Sequence, residues 1–111
     1  MEDLIQKHCV PCEGGMPPLT VSEIANLSPQ APGWQVIDNK KIRRELKFGD
    51  FKEAMKFING VADIANAEEH HPDIYVFYNK VNLELSTHAI GGLSENDFIL
   101  AAKINALVEK S

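Results

Sequence analysis

Between Ile74 and Thr87 the chain reads IYVFYNKVNLELST, two runs of alternating apolar residues with a break at Asn79-Lys80. Side chains along a strand point to opposite faces with a period of two, so each run has one face to bury. The pair reads as two strands folded back on one another. A two-residue turn at Asn79-Lys80 sets Tyr78 against Val81, Val76 against Leu83 and Ile74 against Leu85. Every one of these is apolar or aromatic, whereas a slip of one residue would mix Asn82 and Glu84 into the same face. Burial thus selects this register over its immediate neighbours. Carried further, the register opposes His71 to His88 on the face turned away from the helices. Directly opposed Cβ atoms lie roughly 4.5–5.5 Å apart, so two histidines distant in sequence are expected in contact.

The rest of the chain supplies packing partners for that hairpin. Trp34–Ile37 and Ile42–Phe48 read as a second pair of strands joined at Asn39-Lys40, with Ile42, Leu46 and Phe48 on one face. Thr20 with Glu23 forms a capping box for a short helix over about 21–27, which ends before Pro29 and Pro32. Asp50 with Glu53 opens a longer helix that runs to about Glu68 and carries an apolar stripe of Phe51, Met55, Ile58, Ala62 and Ala65. Ser94, after Gly91-Gly92, opens a last helix that turns Leu100, Ile104, Leu107 and Val108 inward. The order α-β-β-α-β-β-α predicts an α+β fold, a four-stranded antiparallel sheet with the helices packed on one face. Residues 1–19, punctuated by Pro11, Gly14, Gly15, Pro17 and Pro18, predict an N-terminal arm ahead of a single domain over 20–111.

Length and charge narrow the function classes. A chain of 111 residues with 44% apolar content suits one core. No apolar run approaches the roughly 18 residues a membrane span needs, and MEDLIQKHCV lacks the basic and apolar regions of a signal peptide. The expectation is a cytoplasmic protein with no membrane partner. The 11 basic and 16 acidic residues give a net charge of −5. Holding a phosphate backbone takes Lys and Arg, so nucleic acid is not expected as a partner. The basic run Lys40-Lys41-Ile42-Arg43-Arg44 reads as a solvated strand and turn. Cys9 and Cys12, in His8-Cys9-Val10-Pro11-Cys12, have the Cys-x-x-Cys spacing of a redox pair or half a zinc site. The Gly and Pro residues that follow favour loop over helix, and no second cysteine pair exists to close a zinc site. The plainer reading is a docked arm with reduced thiols.

Glu68-Glu69-His70-His71-Pro72-Asp73 places two of the four histidines side by side, and the hairpin brings His88 to the same corner. Three readings compete. In a structural one, His70 interacts with the dipole at a helix C-terminus while His71 and His88 simply pair. A metal reading needs three side chains aimed at one point. Adjacent residues in extended backbone point to opposite faces, so His70 and His71 chelate badly together. Proton transfer asks less of the geometry: imidazole titrates near neutrality, so one ring can donate while another accepts. Two rings a substrate's width apart suit an elimination, one protonating a leaving hydroxyl and the other removing a proton. A planar aromatic substrate could lie against Tyr75, Phe77 or Trp34. Proton transfer without a metal is the reading the spacing favours. Ser94-Glu95-Asn96-Asp97 makes Asp97 a capping residue first, and leaves it able to orient a histidine indirectly.

His70-His71-Pro72, Tyr78-Asn79-Lys80-Val81, Ser86-Thr87-His88, Gly91-Gly92-Leu93-Ser94 and Asp97, in that order, resemble the pterin-4a-carbinolamine dehydratases over a stretch from Trp34 to about Leu107. The HCVPCEGG arm resembles the extension of bacterial members. The resemblance implies a hydro-lyase that dehydrates 4a-hydroxytetrahydropterin to quinonoid dihydropterin, recycling the pterin cofactor of aromatic amino acid hydroxylation. It implies His70, His71 and His88 as catalytic residues, substrate contacts at Pro72, Ser86, Thr87, Asn66 and Glu69, and support from Asp97 and Trp34. One imidazolium would protonate the C4a hydroxyl and a neutral imidazole would take the N5 proton, with no cofactor. Implied partners are the pterin, further copies of the chain in a dimer or tetramer, and an aromatic amino acid hydroxylase. Family members commonly carry an acid four residues before the first histidine; this chain has Asn66 there, which can hydrogen-bond but holds no charge. The alternatives are a non-catalytic dimerisation or accessory module of the same fold and a zinc protein built on the histidines, with or without Cys9 and Cys12.

Overall fold

The computed structural model describes residues 3–11 and 14–110. Helix α1 spans Val21–Leu27, strands β1 and β2 span Gln35–Ile37 and Lys41–Lys47, and helix α2 spans Phe51–Glu68. Strands β3 and β4 span Asp73–Phe77 and Lys80–Leu85, and helix α3 spans Glu95–Glu109. All four strands pair antiparallel, in the order β1-β2-β4-β3. The chain thus passes through α2 to an outer strand, β3, and returns through β4 to the middle of the sheet. The α+β fold predicted from the order of elements is the fold observed.

Period-two alternation sorts the two faces of the sheet. Ile42 and Leu46 on β2 stand opposite Leu85 and Val81 on β4. Ile42, Val81, Leu83 and Leu85 are completely buried in a core shared with α2 and α3. On the opposite face β2 and β4 carry a charged cluster: Glu84 accepts from Arg43 at 2.5 Å and from Lys41 at 3.2 Å, and Arg43 also reaches Glu45 at 3.1 Å. Burial pushes the Glu84 carboxyl up, but the hydrogen bonds from Lys41 and Arg43 outweigh it and leave its pKa below the ordinary glutamate value. Helix α3 is buried nearly all round, through Phe98, Ile99, Leu100, Ala101 and Ile104, rather than along the single side predicted. It lies between α2 and a 3₁₀ turn at Leu4–Gln6 of the arm, which inserts Leu4 into the core.

Capping chemistry sets the helix starts. Thr20 with Glu23 and Ser94 with Asp97 form reciprocal capping boxes. Asp50 caps α2 through Glu53 N–H, but the Glu53 carboxylate accepts from Gly49 N–H instead of closing the box. The turn between β1 and β2 places Asp38 and Asn39 at φ 53° and 56°, so the left-handed pair is Asp38-Asn39 and not Asn39-Lys40.

Two expectations about packing are corrected. The first concerns register: β3 and β4 pair two residues away from the predicted alignment, with Val76 opposite Val81, Ile74 opposite Leu83, and Tyr78-Asn79 as the turn. A shift of two keeps every side chain on its face, so alternation cannot distinguish the two registers. A distant contact favours one: Asn79 donates from its side chain to Phe48 O at 3.0 Å and accepts from Phe48 N–H at 2.8 Å. Tyr78 takes φ 55° in the turn, leaves the predicted buried face and is 66% exposed. Nor do Ile74 and Val76 bury, because β3 is an outer strand. The second concerns α2, whose buried face is Ala54, Phe57, Ile58, Val61 and Ala65, while Phe51 is 48% exposed. A helical period admits both stripes, and the one holding Phe57, packed on Phe48 at 5.0 Å between ring centroids, buries more.

Candidate active site

Helix α2 ends at Glu69, which turns left-handed at φ 54°, and the N–H groups of Glu69 and His70 both reach Ala65 O. Left-handed termination of this kind lets the chain reverse direction within one residue. It places His70 beside the first turn of α3, with Nε2 at 2.6 Å from Asp97 Oδ1. Asp97 is completely buried, and its second oxygen accepts from the Thr87 hydroxyl at 2.9 Å and from Ser94 N–H at 3.0 Å. One carboxylate therefore caps α3 and holds an imidazole. A carboxylate only accepts, so His70 donates from Nε2 and its Nδ1 is the nitrogen left for other work.

His71 is held in a parallel way by an uncharged partner. Its Nε2 lies 3.0 Å from Asn66 Oδ1, on the last turns of α2. An amide oxygen only accepts, so His71 also donates from Nε2 and keeps Nδ1. His88 belongs to an exposed 3₁₀ turn, His88–Ile90, not to a strand. With the observed register it does not face His71 across the hairpin, which corrects the predicted pairing.

The histidines nonetheless share one space. His70, His71 and His88 line a cavity of about 430 Å³ together with Glu69, Ser86 and Thr87. Another part of its wall is the N-terminal arm, through Cys9, Val10 and Pro11, with Glu68 and Asn96 behind them. Glu68 accepts from Cys9 N–H at 2.8 Å, bonds to His8 Nδ1 at 3.0 Å and pairs with Lys103 at 3.6 Å. Burial pushes the Glu68 carboxyl up, but the Cys9 N–H, His8 and Lys103 together hold its pKa below the ordinary glutamate value. Asn96 accepts from Val10 N–H at 3.0 Å and donates to Val10 O at 2.6 Å.

Other expected site residues fall elsewhere. Asn66 and Asp97 do not line the cavity; they stand behind its imidazoles as hydrogen-bond partners. Pro72 is half-buried and is not part of the wall. Trp34 is a core residue whose indole N–H donates to Asn105 Oδ1 at 2.8 Å. Neither Trp34 nor Tyr75 nor Phe77 is a wall of the cavity, which corrects the expected aromatic shelf. Sequence reasoning missed the arm, Glu68 and Asn96; no local signal marks them, because the contacts join residues 59 and 86 positions apart.

Two imidazoles anchored through Nε2, with a third exposed beside them, form a set that can give and take protons at a substrate between them. Among the described residues, no three His, Cys, Asp or Glu side chains are grouped as metal ligands. Cys12 lies outside the described residues, and the Cys-x-x-Cys pair with it. No helix among the described residues is long and apolar enough to cross a membrane.

Residues 17–107 match the family described as Pterin 4 alpha carbinolamine dehydratase. A protein of Nitrosospira multiformis, provisionally named pterin-4-alpha-carbinolamine dehydratase, is 53% identical over 98% of this chain and 96% of its own length. One of Rubrobacter xylanophilus with the same provisional name is 44% identical over 96% of this chain and 100% of its own. A crystal structure of a transcriptional coactivator/pterin dehydratase from Brucella melitensis aligns with a TM-score of 0.76 at 37% identity, covering 81% of this chain and 97% of that one. A pterin dehydratase-like protein described as a RuBisCO assembly factor in the alpha-carboxysome aligns at a TM-score of 0.61 with 21% identity, over 74% of this chain and 96% of that one. That second likeness is one of fold alone.

Proposed function

Because the chain belongs to the pterin 4 alpha carbinolamine dehydratase family, a family of hydro-lyases, we propose that it dehydrates a 4a-hydroxytetrahydropterin by histidine acid–base catalysis. The observation that supports this most is the convergence of His70, His71 and His88 on one cavity, two of them anchored through Nε2. An imidazolium delivers a proton to the C4a hydroxyl, the C4a–O bond breaks and water leaves. A neutral imidazole takes the N5 proton, and the N5–H electron pair becomes the N5=C4a double bond of the quinonoid dihydropterin. One proton enters and one leaves, so no redox partner is needed. His70, fixed through Nε2 by the Asp97 carboxylate, is the ring we assign to the C4a hydroxyl. His71, held through Nε2 by Asn66, is the ring we assign to the N5 proton. His88, exposed at the rim, is placed to exchange protons with water.

In this reading the substrate is the spent cofactor of an aromatic amino acid hydroxylase, and the protein works in the cytoplasm. Self-association is part of the same proposal. The outer strand β3 exposes Ile74, Tyr75, Val76 and Phe77, each 36% or more, beside an unpaired strand edge. Proteins seldom leave such an edge bare, and a second copy of the chain is the cover we propose.

Stopped-flow absorbance of carbinolamine decay tests the chemistry. Wild type should accelerate the decay, and His70→Ala, His71→Ala and His88→Ala should each lose a factor in the range of about 10²–10⁴. A wild-type protein that leaves the decay rate unchanged would remove the catalytic reading and favour an accessory role for the same fold.

A further inference from the structure

The matched family region begins at residue 17, yet residues ahead of it form part of the cavity wall. Cys9, Val10 and Pro11 line the same space as the three histidines, and Val10 is 65% exposed. Their position is not accidental contact, because the backbone is pinned on two sides. Glu68, two residues ahead of His70, accepts from Cys9 N–H at 2.8 Å. Asn96, next to Asp97, grips both the N–H and the carbonyl of Val10, at 3.0 and 2.6 Å. Lys7 pairs with Glu95 at 2.6 Å, and Leu4, 1% exposed, anchors the far end of the arm in the core.

We infer that residues Cys9–Pro11 are a substrate-contacting wall that sets how tightly the pterin is held, with Val10 and Pro11 presenting the apolar surface. The inference rests on the dehydratase reading and adds a binding role for a segment outside the matched region. The pterin bicycle gains from apolar contact on its face, while its polar edge needs the hydrogen-bonding groups of the histidine side. Val10 and Pro11 bring no group that transfers a proton. Their contribution therefore lies in affinity and not in the proton-transfer step.

Two variants separate wall from catalyst. Deleting the whole arm would also remove Leu4 from the core, so point changes are preferred. Asn96→Ala releases the backbone of Val10, and Val10→Asp puts a charge on the wall with every histidine and Asp97 intact. Titration of 7,8-dihydrobiopterin by isothermal calorimetry should show Kd raised roughly five- to tenfold in either variant, the size expected for losing one or two hydrogen bonds or an apolar contact. KM for the carbinolamine should rise alongside, with kcat within about twofold of wild type. Unchanged Kd and KM in both folded variants would overturn the inference, as would a fall in kcat with KM unchanged, which would show the arm acting through His70. Wild type that binds no pterin would instead overturn the functional reading beneath it.

Discussion

Asp97 is one side chain with two jobs, and its chemistry predicts how they separate. It is completely buried and accepts from His70, Thr87 and Ser94 N–H. Asp97→Asn keeps the shape but removes the charge, so under the dehydratase reading turnover should drop by about 10²–10³ by stopped flow. Asp97→Ala also leaves buried donors unpaired, and should cost about 2–4 kcal/mol in urea unfolding. Asn66 is the converse case. Asn66→Glu puts a carboxylate in that place and keeps an acceptor for His71, so activity should stay level or rise; a large loss would show that the amide has a task of its own. Glu68 carries a pH signature. Its pKa lies below the ordinary value of about 4.5, so the folded state favours the ionised form. That stabilisation is fully present above about pH 4.5 and fades as pH falls through the lower folded value. The difference in melting temperature between wild type and Glu68→Gln should accordingly be largest near neutrality and shrink in acid.

Among the elements, α2 shows how far periodicity reaches. A stripe through Phe51 and a stripe through Phe57 both obey helical spacing, but the fold buries Phe57 and leaves Phe51 half in water. Phe57→Ala should cost about 3–5 kcal/mol, whereas Phe51→Ala should cost less than about 1 kcal/mol, both read by urea unfolding. Equal costs would restore the predicted stripe. On helix α3, Ile99, Ala101 and Ala102 are buried beside Leu100 and Ile104, because α2 and the Leu4 turn enclose nearly its whole circumference. The β3–β4 hairpin carries the same lesson in a different form, since its two-residue shift moved no side chain from one face to the other.

For the assembled molecule, the bare edge of β3 is the feature that looks outward. Tyr75 and Phe77 are 43% and 60% exposed, on the strand that ends the sheet. If copies of the chain cover that edge, Tyr75→Lys combined with Phe77→Lys should convert the oligomer to monomer in sedimentation velocity, by adding like charges to an apolar contact. A monomeric wild type at micromolar concentration would end the self-association proposal. The N-terminal arm belongs at this level too. It crosses the molecule from the core at Leu4 to the cavity at Pro11, so it ties the packing of α3 to the shape of the site.

Element order, caps and face alternation were legible in the residues because each depends on neighbours a few positions away: Thr20 with Glu23, Ser94 with Asp97, the apolar positions of β4. The gathering of His70, His71 and His88 was also legible, though through a register two residues from the real one. What local pattern could not settle were choices of equal periodicity, between stripes on α2 and between registers of the hairpin. Those were resolved by Phe57 against Phe48 and by Asn79 against Phe48. Nor could it place His70 on Asp97, 27 positions away, or the arm on Glu68 and Asn96. Contacts of that length follow from how whole elements pack, and packing is a property that no short stretch of chain contains.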